Sequence, residues 1–210
     1  METGLNLPFI LASTSPRRIY LMSQVHLAIE VQTPQVDEKP KYREDPKKLV
    51  ARLAWEKANS VRDVAVQRYE KSIILAADTI VVAPGGHKVL GKPESPEEAK
   101  KMLKLLSGKK NTVFTGYCLL FASRQKTKKQ VTRVIRSRVK MRRLTEKEII
   151  RYVASGEPMD KAGAYGAQGL GMALIESIEG SYTNVVGLPM AQIFMDLEKI
   201  FKITLFSWMK

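Results

Sequence analysis

Two arginines at a helix start and a carboxylate inside an apolar strand are the residues here best suited to phosphate chemistry. Ser13-Thr-Ser-Pro-Arg-Arg18 opens a predicted helix with Pro16 at its first turn. The other main helix starts carry acids, at Asp45, at Glu97 and Glu98, and at Glu146 and Glu148, as the positive end of a helix dipole prefers. Arg17 and Arg18 reverse that pattern. An anion would relieve it, with phosphate oxygens taking backbone N–H groups, the Ser13 hydroxyl and bidentate guanidinium contacts. Arginines that reach solvent or pair with distant acids would fit the same residues.

Asp78 interrupts the apolar run Ile73-Ile-Leu-Ala-Ala77 and Thr79-Ile-Val-Val82. A buried charge there is costly unless it is paired or bound to metal, so a satisfied structural aspartate and a catalytic or metal-binding one both fit. Glu38, in Val36-Asp-Glu38, is a candidate second carboxylate or a plain loop acid. Two such groups suit Mg²⁺ or Mn²⁺ bridging a substrate's phosphates. Lys57 lies four residues from both Leu53 and Val61 on the apolar side of a helix, and Lys92 sits in Gly91-Lys-Pro93. Both can clamp phosphate charge, although snorkelling accounts for Lys57 and a surface turn for Lys92.

Asp160 to Pro189 is rich in glycine, at positions 163, 166, 169, 171, 180 and 187, which lets a backbone approach a ligand closely. Gln168 lies inside it; its amide donates and accepts at once and so fits the imide edge of a pyrimidine, or it is an exposed loop glutamine. The spacing G-x-x-G-x-x-G-x-G is not the dinucleotide fingerprint. The only histidines are His26 and His87, and there is no nucleophile elbow, Walker A loop or cysteine–histidine metal pattern. Metal-assisted hydrolysis remains.

The elements that must position these residues alternate. Strands are predicted over 9–12, 28–32, 72–83, 88–90, 112–122 and 130–141, with the last two paired. Helices are predicted from Ser15-Pro16, from Asp45-Pro46 to about Arg68, from Ser95-Pro96 to about Ser107, from the capping box at Thr145 to about Ala154, and from Pro189 to Ile200. The long second helix carries Val50, Ala54, Ala58, Val61 and Ala65 on one stripe. This is an α/β pattern with a mixed sheet, read as a single domain over 1–210.

With 210 residues, 44% hydrophobic and 27% charged, the composition is that of a globular protein. The formal charge of +14 would attract nucleic acid or any polyphosphate. From Arg124 to Arg143 there is no acid, but Ile135, Ser137, Val139 and Met141 alternate with Arg136, Arg138, Lys140 and Arg142, the pattern of a strand with one wet face. Aromatic residues that would stack bases are missing from it, so nucleic acid is not the expected partner. Cys118 reads as a packed small hydrophobe. Glu2 and the brief apolar run after it do not make a secretory signal, and no stretch approaches a membrane span, so a cytoplasmic location without membrane contact is expected.

Ile10-Leu-Ala-Ser-Thr-Ser-Pro-Arg-Arg18, Ala77-Asp-Thr-Ile-Val81, Gly91-Lys-Pro93 and Asp160 to Pro189 stand in order along the chain, joined by Arg52-Leu-Ala-Trp-Glu-Lys-Ala58 and Ser155-Gly-Glu-Pro158. Together they resemble the successive blocks of the Maf family of nucleotide pyrophosphatases. The resemblance implies a Maf/ITPase-like fold with an elongated mixed central sheet flanked by helices and two lobes around a cleft. It implies hydrolysis of a nucleoside triphosphate to the monophosphate and pyrophosphate with a divalent cation, Mg²⁺ or Mn²⁺, and leaves a homodimer open. Asp78 matches the family's proton acceptor, with Lys92, Lys57 and Glu38 as further catalytic positions and Glu38 and Asp78 as metal ligands. Ser13, Arg17, Arg18, Thr79 and Gln168 match substrate-binding positions. Ala162-Gly-Ala-Tyr-Gly-Ala-Gln-Gly169 resembles the branch acting on dTTP and UTP. The rival expectations are a basic nucleic-acid-binding or division-regulating protein without turnover, and a pyrophosphatase for modified purine nucleotides.

Overall fold

The computed structural model describes residues 7–86, 88–124 and 129–209; Glu2, His87 and residues 125–128 of the basic run lie outside them. The strands are β1 (Phe9–Leu11), β2 (Glu30–Val31), β3 (Lys71–Val82), β4 (Val89–Leu90), β5 (Lys110–Ser123), β6 (Gln130–Met141) and β7 (Ile175–Glu179). The helices are α1 (Pro16–Ser23), α2 (Pro46–Arg68), α3 (Pro96–Leu106), α4 (Glu146–Ala154), α5 (Tyr182–Val186) and α6 (Met190–Phe201). Among the described residues the strands form one mixed sheet in the order β2-β1-β3-β5-β6-β7, with β4 paired to β3. The α/β class and the pairing of β5 with β6 therefore stand as expected. The chain divides into two compact units, with the boundary falling inside β3, β5 and β6.

The first unit comprises residues up to Asp78, Gly116–Val134 and Gly187 onward. Here β1 runs parallel to both β2 and β3, with Ile10 opposite Ile74. Alternation along β3 puts Ile74, Ala76 and Asp78 on one face, and the first two pack against Ala54, Ala58, Val61 and Ala65 of α2. Asp45 caps α2, its carboxylate accepting from the N–H groups of Lys47 and Lys48, and Pro46 follows, so the helix starts where the sequence placed it. Cys118 is buried in the same core, and burial raises its thiol pKa, as suits a packing residue. Tyr117 donates to Asp196 at 2.6 Å, and Arg133 of β6 closes on the same carboxylate.

The second unit comprises Thr79–Thr115 and Ile135–Val186. Its core joins Leu103 and Leu106 of α3, Ile149 and Val153 of α4, and Val139 and Met141 of β6. The capping box at Thr145 forms as read: the Thr145 hydroxyl accepts from the Glu148 N–H and the Glu148 carboxylate accepts from the Thr145 N–H. In β6, Ser137, Val139 and Met141 are buried while Arg136 and Arg138 are exposed, the alternation expected of a basic strand with one wet face. Glu179 of β7 pairs with Arg138 of β6 at 3.7 Å and with Lys110 of β5, and Glu148 of α4 pairs with Arg142, just past β6, at 2.9 Å.

Three elements differ from the sequence reading. β7 and α5 lie inside the glycine-rich stretch, where the frequency of glycine masks short regular elements. The second strand shrinks to Glu30–Val31, although Gln32 N–H still reaches the Leu11 carbonyl at 3.0 Å.

Candidate functional site

In the first unit, Lys57 is 5% exposed and its ammonium lies 2.8 Å from Asp78 Oδ1 and 2.8 Å from Glu38 Oε1. Snorkelling is thereby set aside: the side chain runs from the buried stripe of α2 to a carboxylate on the face of β3 that α2 covers. Asp78 is itself 6% exposed. Each buried charge thus has its partner, which is the condition for keeping either ionised away from water. Glu38 approaches from outside, with its side chain 61% exposed.

The same unit holds the helix-start arginines. Ser13 and Arg18 are buried; Arg18 Nη1 donates to Ser13 Oγ at 3.2 Å, and Arg18 Nε donates to the Gly187 carbonyl at 3.0 Å. Ser13 Oγ also accepts from Ser15 N–H, which fixes the loop entering α1. Burial pulls the Arg18 guanidinium below its ordinary pKa; Asp78 opposes this, Arg17 adds to it, and Glu38 opposes it. Arg17, Arg18, Glu38 and Asp78 therefore share one electrostatic neighbourhood with Lys57. No acid stands in the first turn of α1, and the Ser15 side chain makes no cap, so its opening N–H groups keep the character read from the sequence.

Arg52, in the joining block of α2, has a role that the sequence reading missed. It donates bidentately to Glu44 at 2.7 Å, to Glu56 at 2.9 Å and to the Lys39 carbonyl at 3.2 Å, tying to α2 the irregular segment that carries Glu38. Hydrogen bonds from Arg52 hold the Glu44 carboxyl down at about 2. Arginine eight residues after a glutamate, across a helix start, was the available signal.

Thr79, Lys92 and Gln168 belong to the second unit. Thr79 is half-buried in an otherwise buried stretch of β3, and its Oγ1 lies 2.9 Å from Thr115 Oγ1. Lys92 is exposed, and the carbonyl of Gly91 beside it accepts from Gly163 N–H at 3.0 Å, which joins the Gly-Lys-Pro turn to the glycine segment. Gln168 is half-buried rather than fully exposed.

The glycine segment is held by side chains outside it. The Glu157 carboxylate accepts from Leu170 N–H at 2.8 Å, Gly171 N–H at 2.9 Å and Tyr152 OH at 3.0 Å. Tyr165 OH donates to Asn111 Oδ1 at 2.8 Å, and burial raises its pKa. A Cβ on Gly171 would lie 2.3 Å from the Gly166 carbonyl oxygen, so the loop folds back on itself only because that position is glycine. Two of the three groups that Glu157 holds, the N–H groups of Leu170 and Gly171, lie 13 and 14 residues along the chain, beyond the reach of any local pattern in Ser155-Gly-Glu-Pro158.

A family model described as Maf-like protein matches residues 8–200. The chain belongs to the Maf family. A dTTP/UTP pyrophosphatase of Dictyoglomus turgidum is 44% identical to this Maf-family chain over 185 residues, 88% of this chain and 91% of that one. One of Bacillus cytotoxicus is 44% identical over 191 residues, 91% and 94% of the two chains. Among solved structures, a HAM1 protein from Coxiella burnetii is similar with a TM-score of 0.49 and 14% identity, over 93% of this chain and 98% of that chain.

The donor set of this Maf-family chain fits a hard divalent cation. Asp78 and Glu38 offer carboxylate oxygens close enough together to share one ammonium. Among the described residues no group of three or more His, Cys, Asp and Glu side chains gathers. A Mg²⁺-type ion, which commonly takes one or two carboxylates and completes its shell with water and substrate phosphates, needs no third.

Proposed function

We propose that this chain hydrolyses dTTP and UTP between the α and β phosphates, releasing the monophosphate and pyrophosphate. Relatives 44% identical over most of both chains carry the name of that activity. The observation in the molecule that carries the reading is the buried Lys57 held between Glu38 and Asp78, next to Arg17 and Arg18. Three cations and two carboxylates in one neighbourhood suit a polyanion that must be bound, neutralised and attacked.

In this reading Glu38 and Asp78 would hold Mg²⁺ or Mn²⁺, which would supply Lewis-acid polarisation of the phosphoanhydride. Asp78 orients the attacking water toward the α phosphorus and takes up its proton. Arg17, Lys57 and Lys92 stabilise the charge that develops on the leaving pyrophosphate, by position and electrostatics. Ser13, Arg18 and the N–H groups opening α1 seat the phosphates. Thr79 and Gln168 read the base. The modified-purine reading differs only at this last step.

Gln168→Ala tests it. Across a panel of triphosphates with monophosphate and pyrophosphate measured together, wild type is expected to favour dTTP and UTP. The variant should lose roughly tenfold or more in kcat/KM for both, one hydrogen-bonding group at a specificity position being removed. An unaltered preference in Gln168→Ala would favour the purine reading.

The carboxylate pair has a test that does not need turnover. Lys57→Met leaves Asp78 buried without its counter-ion, at a cost of about 3 kcal/mol, or roughly 6–12 °C in Tm, in chelator. Added Mg²⁺ should restore more Tm to the variant than it adds to wild type. A variant whose Tm ignores Mg²⁺ and Mn²⁺ would mean that Glu38 and Asp78 do not hold the ion.

A further inference from the structure

The backbone on either side of Gln168 is gripped by side chains from outside it. On the C-terminal side one carboxylate takes two consecutive N–H groups: Glu157 Oε2 accepts from Leu170 N–H at 2.8 Å, and Oε1 from Gly171 N–H at 2.9 Å. Both N–H groups belong to the short 3-10 helix Gly169–Leu174, which Gln168 precedes in extended conformation without capping it by its own side chain. The first N–H groups of a helix have no partner within it, and Glu157 supplies the one that Gln168 does not. Glycine at 169 makes the approach possible, since its φ is +66° and a Cβ there would stand 2.6 Å from Glu157 Oε2. On the N-terminal side, Tyr182 OH donates to the Ala167 carbonyl at 3.0 Å. The Gly166 N–H bears on the hydroxyl of Tyr152.

Glu157 is fixed in its turn. Its N–H donates to Ser155 Oγ at 3.3 Å, and its carbonyl accepts from the Lys161 ammonium at 2.6 Å. Tyr152 OH donates to Glu157 Oε1 at 3.0 Å; burial, reinforced by the Glu157 charge, raises the pKa of that hydroxyl and keeps it a donor. Three donors thus converge on one carboxylate, and hydrogen bonds to a charged acceptor are stronger than those to a neutral one. All of these residues belong to the second unit.

We propose that Glu157 is a positioning residue for base selection: its carboxylate fixes the backbone from which Gln168 presents its amide to a pyrimidine. The proposal rests on the reading that Gln168 meets the base. Glu157 acts through the Leu170 and Gly171 N–H groups and not on the nucleotide. An amide that must donate and accept at once depends on its angle, because both bonds weaken when it tilts. Glycine at 166 and 169 leaves the flanking backbone little stiffness of its own, so the angle has to be set from outside.

The test is a double-mutant cycle on kcat/KM for UTP in wild type, Glu157→Gln, Gln168→Ala and the double variant, with Tm recorded for each. Glutamine keeps the size of the side chain but puts an amide nitrogen where one oxygen accepts. Glu157→Gln is expected to lose about tenfold when Gln168 is present and less than about twofold when it is already alanine. Tyr152→Phe deletes the hydroxyl that donates to the Glu157 carboxylate and should lose about threefold, again only when Gln168 is present; it carries the test if Glu157→Gln does not fold. Equal losses in the two backgrounds would overturn the proposal, since a residue that only holds the fold together costs the same with or without the glutamine. Full kcat/KM in a folded Glu157→Gln would overturn it too. Either result leaves the pyrophosphatase reading and the role of Gln168 in place. A Gln168→Ala variant as active on UTP as wild type would remove that role and this proposal with it, and a wild type that converts neither UTP nor dTTP to monophosphate and pyrophosphate would overturn the pyrophosphatase reading as well.

Discussion

Asp78→Asn is expected to lower UTP turnover by about 10²-fold or more, the cost typical of removing one preorganised catalytic group, while the protein stays folded and still binds triphosphate. The substitution changes charge and little else. An amide has nearly the shape of the carboxylate and keeps a carbonyl oxygen for the Lys57 ammonium, now 2.8 Å from Oδ1, and Lys57 retains Glu38 as its second partner. The negative charge is lost, and with it the hard ligand and the proton acceptor. Steady-state kcat at saturating UTP and the rise in Tm on adding nucleotide separate the two roles. Retained turnover in a variant that binds nucleotide would reduce Asp78 to a buried counter-ion.

Gly116→Ala is expected to be among the most destabilising single substitutions in the chain, by about 3 kcal/mol or more, or roughly 6–12 °C in Tm. A Cβ there would stand 2.2 Å from the Val50 carbonyl oxygen and 2.5 Å from its carbon. Those are backbone atoms of α2 and cannot rotate aside. The helix would have to lift from β5, carrying Lys57 with it, so loss of activity should accompany the loss of stability. Gly91→Ala is the contrast, since a Cβ at that position meets nothing within 4 Å. Equal melting temperatures for the two variants would show that α2 does not lie that close to the sheet.

Much of both units was legible because the signals are local. Asp45-Pro46 fixed the start of α2, and its small-residue stripe faces β3 as the spacing implied. Thr145 and Glu148 form the capping box that their spacing announced. The alternation of β6 separated buried from wet positions without any partner being known. The site was legible residue by residue but not as a network. Lys57 satisfied two readings until Asp78 and Glu38 were found on its ammonium, because a helix stripe says which side a lysine leaves from and not what it meets. Arg52 and Glu157 escaped for a related reason. Each also ties down a backbone group 13 residues away, the Lys39 carbonyl and the Leu170 N–H, and helix or strand periodicity does not report such pairings. β7 and α5 were hidden where glycines needed for close approach dilute the periodicity that betrays a strand or helix.

In the proposed reaction, water attacks the α phosphorus of a pyrimidine triphosphate under the control of the Lys57, Glu38 and Asp78 cluster. Turnover of UTP by the wild-type protein in ¹⁸O-enriched water, with the products resolved by mass, tests this most directly. The label should appear in UMP alone, with unlabelled pyrophosphate released in equal amount. Label in pyrophosphate, or release of single phosphate groups, would contradict it.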